Sequence, residues 1–164
     1  MTEHEPAGWV EPPLTDLEAR LIDILEPVVL DAGLFLLELS MVSDGRGRVL
    51  RLFVDNREQG VNLDQCGVLS RQLGDLLDVE DIISERYHLE ISSPGLTRKL
   101  KYAREFQLLG GRRIRILVRG ECKNQYLTGL LHGRDGDDVL LEIHGEIKRI
   151  ALYDIIRAQL HPEL

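Results

Sequence analysis

A cluster of basic side chains lies between residues 98 and 119, and its chemistry suits the binding of phosphate groups. Arginine and lysine neutralise phosphates, and aromatic rings such as Tyr102 and Phe106, which lie among them, can stack on nucleobases. Glu105 is the one acid in this stretch. The cations, with Lys123 just beyond the cluster, are Arg98, Lys99, Lys101, Arg104, Arg112, Arg113, Arg115 and Arg119. We predict that they hold a nucleic-acid backbone without reading its sequence.

The competing interpretation of these cations is a solvated surface on which they pair with the chain's own carboxylates. The net charge of the 164-residue chain is −8, which by itself disfavours nucleic acid. The charge is unevenly distributed, however. Residues 1–93 hold 7 Lys+Arg against 19 Asp+Glu, and residues 94–164 hold 13 against 9, so the halves carry −12 and +4. This asymmetry predicts a basic part that binds phosphates and an acidic part that faces basic proteins or stays solvated.

Nucleophilic catalysis finds little support in the sequence. Ser92 and Ser93 are the candidate nucleophiles, and His88 precedes Ser92 by four residues on the same face of a predicted strand. A serine nucleophile needs a base that is itself held in place, and no such pairing follows from the spacing. We predict no enzyme. Loss of function without loss of folding on substitution of His88 or Ser93 would favour one.

Metal and cofactor binding are also not predicted. Five acids could suggest Mg²⁺ binding, but most lie on or after a predicted helix and more simply form a solvated face: Asp64, Asp75, Asp78, Glu80 and Asp81. Cys66 and Cys122 lie far apart and are interpreted as reduced thiols. Gly45-Arg46-Gly47 is interpreted as a hairpin turn, because the spacing of a phosphate-binding glycine loop is absent.

Residues 14–93 are predicted to form an α-β-β-α-β domain behind a disordered tail, residues 1–13, whose Trp9 contacts the domain loosely. Thr15 with Glu18, and Asn62 with Gln65, are capping boxes that start two helices. Pro27 is expected to kink or end the first helix, and Gly33 to stop it. Strands are expected at 35–41, 49–54 and 87–92, and the second helix is expected to bury Leu63, Cys66, Leu69, Leu73 and Leu76-Leu77. Two helices on one face of a three-stranded sheet make an α+β layer.

Residues 112–164 are predicted to form a small all-β barrel. Ser93-Pro94-Gly95 marks a domain boundary, and residues 94–111 are interpreted as a linker with a short helix from Ala103 to Leu109. Five short strands separated by tight turns follow. Arg113 and Arg115 alternate with isoleucines and are expected to point away from the core. No apolar run approaches the roughly 20 residues that span a bilayer, and the N-terminus is not a signal peptide, so we expect a cytoplasmic protein.

Three segments of the chain resemble the ribosome maturation factor RimP family. They are Gly60-Val61-Asn62-Leu63-Asp64-Gln65-Cys66, Leu76-Leu77-Asp78-Val79-Glu80-Asp81, and the stretch from Tyr87 to Leu100. The most specific element is the turn Ser92, Ser93, Pro94, Gly95, Leu96 with a basic residue after it. The family usually continues Asp-Arg-Pro-Leu where this chain has Thr97-Arg98-Lys99-Leu100. Thr97 therefore lacks the carboxylate, and Lys99 in place of proline is expected to loosen the linker.

The resemblance implies a fold and a function that composition does not show. The N-terminal domain would be KH-like, related to the alpha-lytic-protease prodomain, and the C-terminal domain an Sm/SH3-like barrel. The protein would be a monomer without cofactor or catalytic residues. It would bind the immature small ribosomal subunit through small-subunit rRNA and small-subunit ribosomal protein twelve, and promote maturation. The alternative is a standalone Sm-like RNA-binding regulator, which predicts a ring-sized oligomer on a sizing column.

Overall fold

Two compact units make up the chain. The structure, a computed structural model, describes Trp9, residues 13–56 and residues 61–162. One unit is Pro13–Pro94, and the other is Gly95–Leu164 together with the segment Met1–Pro12. Most of the predicted tail therefore lies outside the described residues. Within the described ranges, no helix combines the length and the apolar character needed to cross a membrane.

Helix α1 of the N-terminal unit spans Asp16–Asp31 and starts at the predicted capping box. The backbone N–H of Glu18 donates to Thr15 Oγ1 at 3.1 Å, and the Thr15 N–H donates to Glu18 Oε1 at 3.1 Å. The expected early end at Pro27 is wrong, because the helix continues through it. Proline inside a helix costs about 3 kcal/mol, and the packing of the fully buried Leu25 and Val29 on either side offsets this cost. Gly33, with φ +79°, follows the helix end as predicted.

Helix α2 spans Leu63–Glu80 and confirms the second capping box, in which the Gln65 N–H donates to Asn62 Oδ1 at 2.8 Å. Its buried residues are Leu69, Leu73 and Leu77. The prediction that Leu63 is buried is wrong, because 90% of its surface is exposed. Leu63 is the first helical residue and lies off the line along which the three buried leucines follow one another at four-residue spacing. Cys66, on the same predicted stripe, is half-buried.

Three strands form the sheet of the N-terminal unit: β1, Phe35–Asp44; β2, Gly47–Asp55; and β3, Tyr87–Ser92. Strands β1 and β2 are an antiparallel hairpin, and β2 pairs with β3 in parallel. A parallel pair needs a long crossover, which α2 supplies. Apolar side chains of both helices and all three strands pack into one core. The predicted element order and the α+β class are therefore confirmed.

The C-terminal unit contains the short helix α3, Glu105–Leu108, and five strands. The strands are β4, Arg113–Val118; β5, Gln125–Asp135; β6, Asp138–Ile143; β7, Glu146–Ala151; and β8, Ile155–Leu160. They form an antiparallel sheet in the order β7-β6-β5-β4-β8. The five predicted strands are confirmed. Among the described residues, no strand pairing joins β7 to β8.

The linker segment before α3 covers the outer edge of β8. The N–H of Leu100 donates to the Ala158 carbonyl at 2.9 Å, and the N–H of Leu160 donates to the Arg98 carbonyl at 2.9 Å. Lys99 forms an isolated antiparallel bridge with Gln159 between these bonds. The edge of the sheet at β8 is therefore paired with the protein's own backbone.

Trp9 packs into the C-terminal unit and is 6% exposed, so the prediction of disorder is wrong at this position. Its ring meets the Phe106 ring edge-on with centroids 5.0 Å apart. The indole N–H donates to the Ile155 carbonyl at 2.9 Å, and the Ala103 N–H donates to the Trp9 carbonyl at 3.0 Å. A large aromatic ring with a satisfied N–H stabilises a small core. Composition predicts disorder from the prolines and acids around Trp9, but the ring is held by residues distant in sequence.

Candidate nucleic-acid interface

Strand β4 separates apolar from basic side chains by the alternation of its residues. Ile114 and Ile116 are fully buried. Arg113 is exposed and Arg115 is half-exposed on the opposite side of the strand. Since successive side chains of a strand point to opposite faces, the two arginines project from the outer face of the sheet.

Strand pairing brings a tyrosine and a third arginine to this outer face. Leu117 of β4 pairs with Tyr126 of β5 on one side and with Arg157 of β8 on the other. The Arg115 guanidinium carbon lies 4.0 Å from the centroid of the Tyr126 ring, and Arg157 Nη2 donates to the Tyr126 hydroxyl at 2.9 Å. One tyrosine thus contacts two arginines from two other strands. We call Arg113, Arg115, Tyr126 and Arg157 the arginine–tyrosine face.

Arg115 and Arg157 give the arginine–tyrosine face a positive charge that their contacts with Tyr126 do not neutralise. The other residues of β4, β5 and β8 that lie on this face, by their pairing in the sheet, are uncharged: Leu117, Thr128, Leu130 and Gln159. Within the described part of the chain, Arg115 and Arg157 form no ion pair, and their side chains contact Tyr126. A cation over an aromatic ring keeps its charge. The face can therefore attract an anion such as a phosphate group.

A second arginine–tyrosine contact lies just beyond the end of β4. The Arg119 guanidinium carbon is 5.5 Å from the centroid of the Tyr153 ring, and its Nη1 donates to the Tyr153 carbonyl at 3.1 Å. Both side chains are exposed, and the Arg119 N–H donates to the Asp154 carbonyl at 2.7 Å. Arg119 is therefore held near the start of β8, and β8 is the strand that contains Arg157.

Arg98 does not belong to the exposed set, which corrects the prediction for this residue. Its side chain is 5% exposed, and its Nη2 lies 2.7 Å from Oε1 of Glu105, whose side chain is fully buried. The other carboxylate oxygen of Glu105 accepts the backbone N–H groups of Lys101 at 2.5 Å and Tyr102 at 2.9 Å. Arg98 is therefore a buried structural partner of the one acid in the basic stretch.

The remaining predicted cations lie in several places on the C-terminal unit. Lys99 and Lys101 are exposed on the linker segment, and Lys123 is exposed between β4 and β5. Arg104 is half-buried with its guanidinium carbon 5.7 Å from the Tyr102 ring centroid, and Arg112 is half-buried before β4. Lys99 pairs with Gln159, the β8 partner of Arg115, so it lies on the same face of the sheet as Arg115, whereas the other four residues lie outside the strands.

Stacking on bases by Phe106 is excluded, because Phe106 is fully buried. The aromatic side chains that accompany exposed arginines are Tyr126 and Tyr153, which the sequence reasoning missed. It also missed Arg157. The sequence pattern predicted β5 and β8 as separate strands, but no local pattern indicated that both pair with β4.

The family turn follows β3, and the candidate catalytic residues His88 and Ser92 lie on that strand. Ser92 ends β3, and the division into two units falls between Pro94 and Gly95, which has φ +80°. Leu96 is 71% exposed. His88 is exposed on β3, and within the described residues no group of three His, Cys, Asp or Glu side chains could hold a metal ion.

A comparison with protein families identifies the N-terminal unit. Residues 24–97 match the family model of the RimP N-terminal domain. The match runs from within α1, through β1, β2, α2 and β3, to the turn that follows β3. It includes the Ser92–Leu96 turn that carried the most specific part of the resemblance. The resemblance is thereby confirmed over this domain, and residues 24–97 belong to the RimP N-terminal domain family.

Proposed function

We propose that this protein is a non-enzymatic ribosome maturation factor that binds the immature small ribosomal subunit in the cytoplasm. The RimP N-terminal domain supports a role in ribosome biogenesis. The observation that supports direct binding to rRNA is the arginine–tyrosine face, where Arg115 and Arg157 contact a tyrosine and, among the described residues, no carboxylate. A protein that binds without catalysis can act only through its affinities for different states of the subunit. It stabilises an immature state to the extent that it binds that state more tightly than the mature one.

The arginine–tyrosine face is suited to the RNA backbone. Arginine donates in a planar fork that matches two phosphate oxygens. Arg115 lies against a ring and Arg157 is anchored by a hydroxyl, so both lose less side-chain freedom on binding than an unsupported arginine would. Arg113 and Arg119 extend the positive surface, and we propose that Lys99, Lys101, Arg104, Arg112 and Lys123 add weaker contacts at its margins.

The acidic N-terminal unit is proposed to face a basic ribosomal protein. Residues 13–94 hold 7 Lys+Arg against 16 Asp+Glu, a net charge of −9. Complementary charge raises the rate of encounter between partners. Small-subunit ribosomal protein twelve is the proposed protein partner, as the family resemblance implies. A negative unit and a positive face on one chain would then bind protein and RNA of the same particle.

We also propose specific folds for the two units. The α-β-β-α-β order with a mixed sheet supports a KH-like N-terminal domain. Five antiparallel strands with a helical turn before β8 support an Sm/SH3-like barrel in the C-terminal unit. In such a barrel the outer face of β4 would remain available to RNA.

The test of RNA binding is co-sedimentation with immature and mature small subunits at several salt concentrations. The variant Arg115→Gln with Arg157→Gln removes two cations that pair with no carboxylate in the described part of the chain. We expect the slope of log affinity against log salt to fall by about 1.5, because each phosphate contact contributes roughly 0.7 to 0.9. An unchanged slope would exclude the arginine–tyrosine face from the binding site.

A matched control removes two arginines whose charge is already compensated. Arg46→Gln with Arg149→Gln makes the same chemical change, but Arg46 pairs with Asp44 at 2.9 Å and Arg149 pairs with Asp135 at 2.9 Å. We expect its salt dependence to match that of the unaltered protein. A control slope as low as that of the test variant would mean that total charge, and not the face, determines binding.

The alternative function, a ring-forming Sm-like regulator, is disfavoured by the edge of β8. Assembly through pairing of sheet edges needs unpaired backbone on the edge strands. The linker segment already occupies that backbone through Leu100 and Leu160. This observation supports a monomer, and a sizing column tests it: elution at several times the mass of 18.6 kDa would favour the ring.

A further inference from the structure

An open groove lies between the C-terminal end of α1 and the N-terminal half of α2. Its volume is about 560 Å³. Leu34 and Leu69 form its floor and are almost fully buried, whereas Val68 on its wall is 47% exposed and Val28 is half-buried. Exposed apolar side chains above an apolar floor can be covered by apolar side chains of a partner.

The rim of the groove is acidic. Asp31 and Asp64 are both exposed there, and among the residues that the structure describes no Lys, Arg or His lines the groove. Among the described residues neither aspartate forms an ion pair. The neighbouring polar side chains Asn62 and Gln65 are already bonded to each other's backbone in the capping box. The charge of the rim therefore remains available to an external cation.

Asp31 lies where a carboxylate is unfavourable for its own helix. It is the last residue of α1, and the last turn of α1 contains no basic residue. The C-terminal end of a helix carries partial negative charge, so an acid there is repelled and a cation is attracted. A lysine or arginine of a partner placed beside Asp31 would interact favourably with both the carboxylate and the helix end.

We propose that this groove binds a segment of a ribosomal protein that combines Lys or Arg with apolar side chains. The apolar floor accepts the apolar side chains, and the two aspartates select the cations. RNA is disfavoured because its phosphates would be repelled by the acidic rim and would leave the apolar wall uncovered. The proposal rests on the proposed function and specifies which surface of the acidic unit contacts protein.

Site-specific photo-cross-linking in the full chain, bound to immature small subunits, tests the proposal. Gln72 on the rim is replaced by p-benzoylphenylalanine, and Val79, 80% exposed on the same helix and outside the groove, is the matched position. We expect Gln72 to cross-link a Lys/Arg-rich peptide of a ribosomal protein, identified by mass spectrometry. A cross-link to rRNA, or no more product than at Val79, would overturn the proposal.

Charge variants test the role of the rim independently. Asp31→Asn with Asp64→Asn should weaken binding to the immature subunit about fivefold at low salt, since each exposed ion pair contributes little. The single variant Asp31→Asn should not lower the melting temperature, because it removes only the repelled carboxylate. Asp23→Asn with Asp75→Asn, one exposed residue on each helix outside the groove, is the control. Equal weakening by both pairs would overturn the groove as the site.

Failure of the groove can be distinguished from failure of the proposed function. If the unaltered chain binds immature subunits and loses affinity with Arg115→Gln and Arg157→Gln, the proposed function stands whatever the groove variants do. If the unaltered chain does not bind immature subunits at all, the proposed function fails, and the groove proposal fails with it.

Discussion

Substitution of Glu105 by Gln should destabilise the C-terminal unit more than any exposed charge change in it. The Glu105 carboxylate is fully buried and compensates Arg98, which is itself 5% exposed. It also accepts two backbone N–H groups, from Lys101 and Tyr102. A glutamine retains the shape, but it removes the negative charge that lies 2.7 Å from the buried Arg98 guanidinium. Breaking a buried pair on one side costs about 3 to 5 kcal/mol.

Urea unfolding followed by tryptophan fluorescence measures this loss. Trp9 is the single tryptophan and contacts Phe106, the neighbour of Glu105, so its emission reports on the C-terminal unit. With a denaturant slope of about 1.5 kcal/mol per molar urea, the midpoint should fall by about 2 to 3 M. Glu121→Gln makes the same change at an exposed position, and we expect it to alter the free energy of unfolding by less than about 0.5 kcal/mol.

The functional counterpart concerns Arg98. If Arg98 contacted rRNA, Arg98→Gln would lower the salt slope of subunit binding by about 1. The structure predicts that the slope of the folded variant is unchanged while its stability falls. A Glu105→Gln variant that loses less than about 1 kcal/mol, or an Arg98→Gln variant with normal stability and a reduced slope, would refute the assignment of this pair to the protein's interior.

Two further predictions test the packing of individual side chains. Trp9→Phe removes the indole N–H that donates to the Ile155 carbonyl, which should lower the free energy of unfolding by about 1 to 3 kcal/mol. Amide hydrogen exchange should become faster in residues 95–162. Equally faster exchange in residues 13–94 would contradict the packing of Trp9 into the C-terminal unit. Burial raises the pKa of the Cys66 thiol, so the reactive thiolate is scarcer at pH 8. Iodoacetamide should therefore modify exposed Cys122 before Cys66, as measured by peptide mass spectrometry, and the reverse order would contradict the burial.

The predicted secondary structure was correct wherever short-range patterns decide it. Capping boxes at Thr15 and Asn62, the glycine after α1 and the alternation along β4 each depend on residues within a few positions of one another. The errors occurred where packing overrides a local rule. Pro27 stays inside α1 because Leu25 and Val29 beside it are buried, and Leu63 is exposed although the predicted apolar stripe includes it.

The candidate site could be predicted only in part. The density of cations between residues 98 and 119 correctly indicated a basic C-terminal unit, and alternation correctly turned Arg113 and Arg115 outward. Arg98 looked equivalent to its neighbours because the sequence contains no sign that Glu105 is buried. Whether a cation is compensated depends on whether a carboxylate lies beside it in space. Arg98 and Glu105 are seven positions apart in a segment without a regular repeat, so their spacing does not predict that the two side chains meet.

The sequence by itself determined the elements, the division of charge between the two halves and the RimP family turn, because each of these is recorded in neighbouring residues. Only the tertiary structure decided which cations form a surface. Strand β8 pairs with β4 and not with its predecessor in the chain, and this pairing places Arg157 beside Tyr126 and Arg115. Trp9 likewise joins a unit that begins 86 residues later, at Gly95. Long-range pairing depends on how several strands and side chains fill one core together, and no local pattern specifies it.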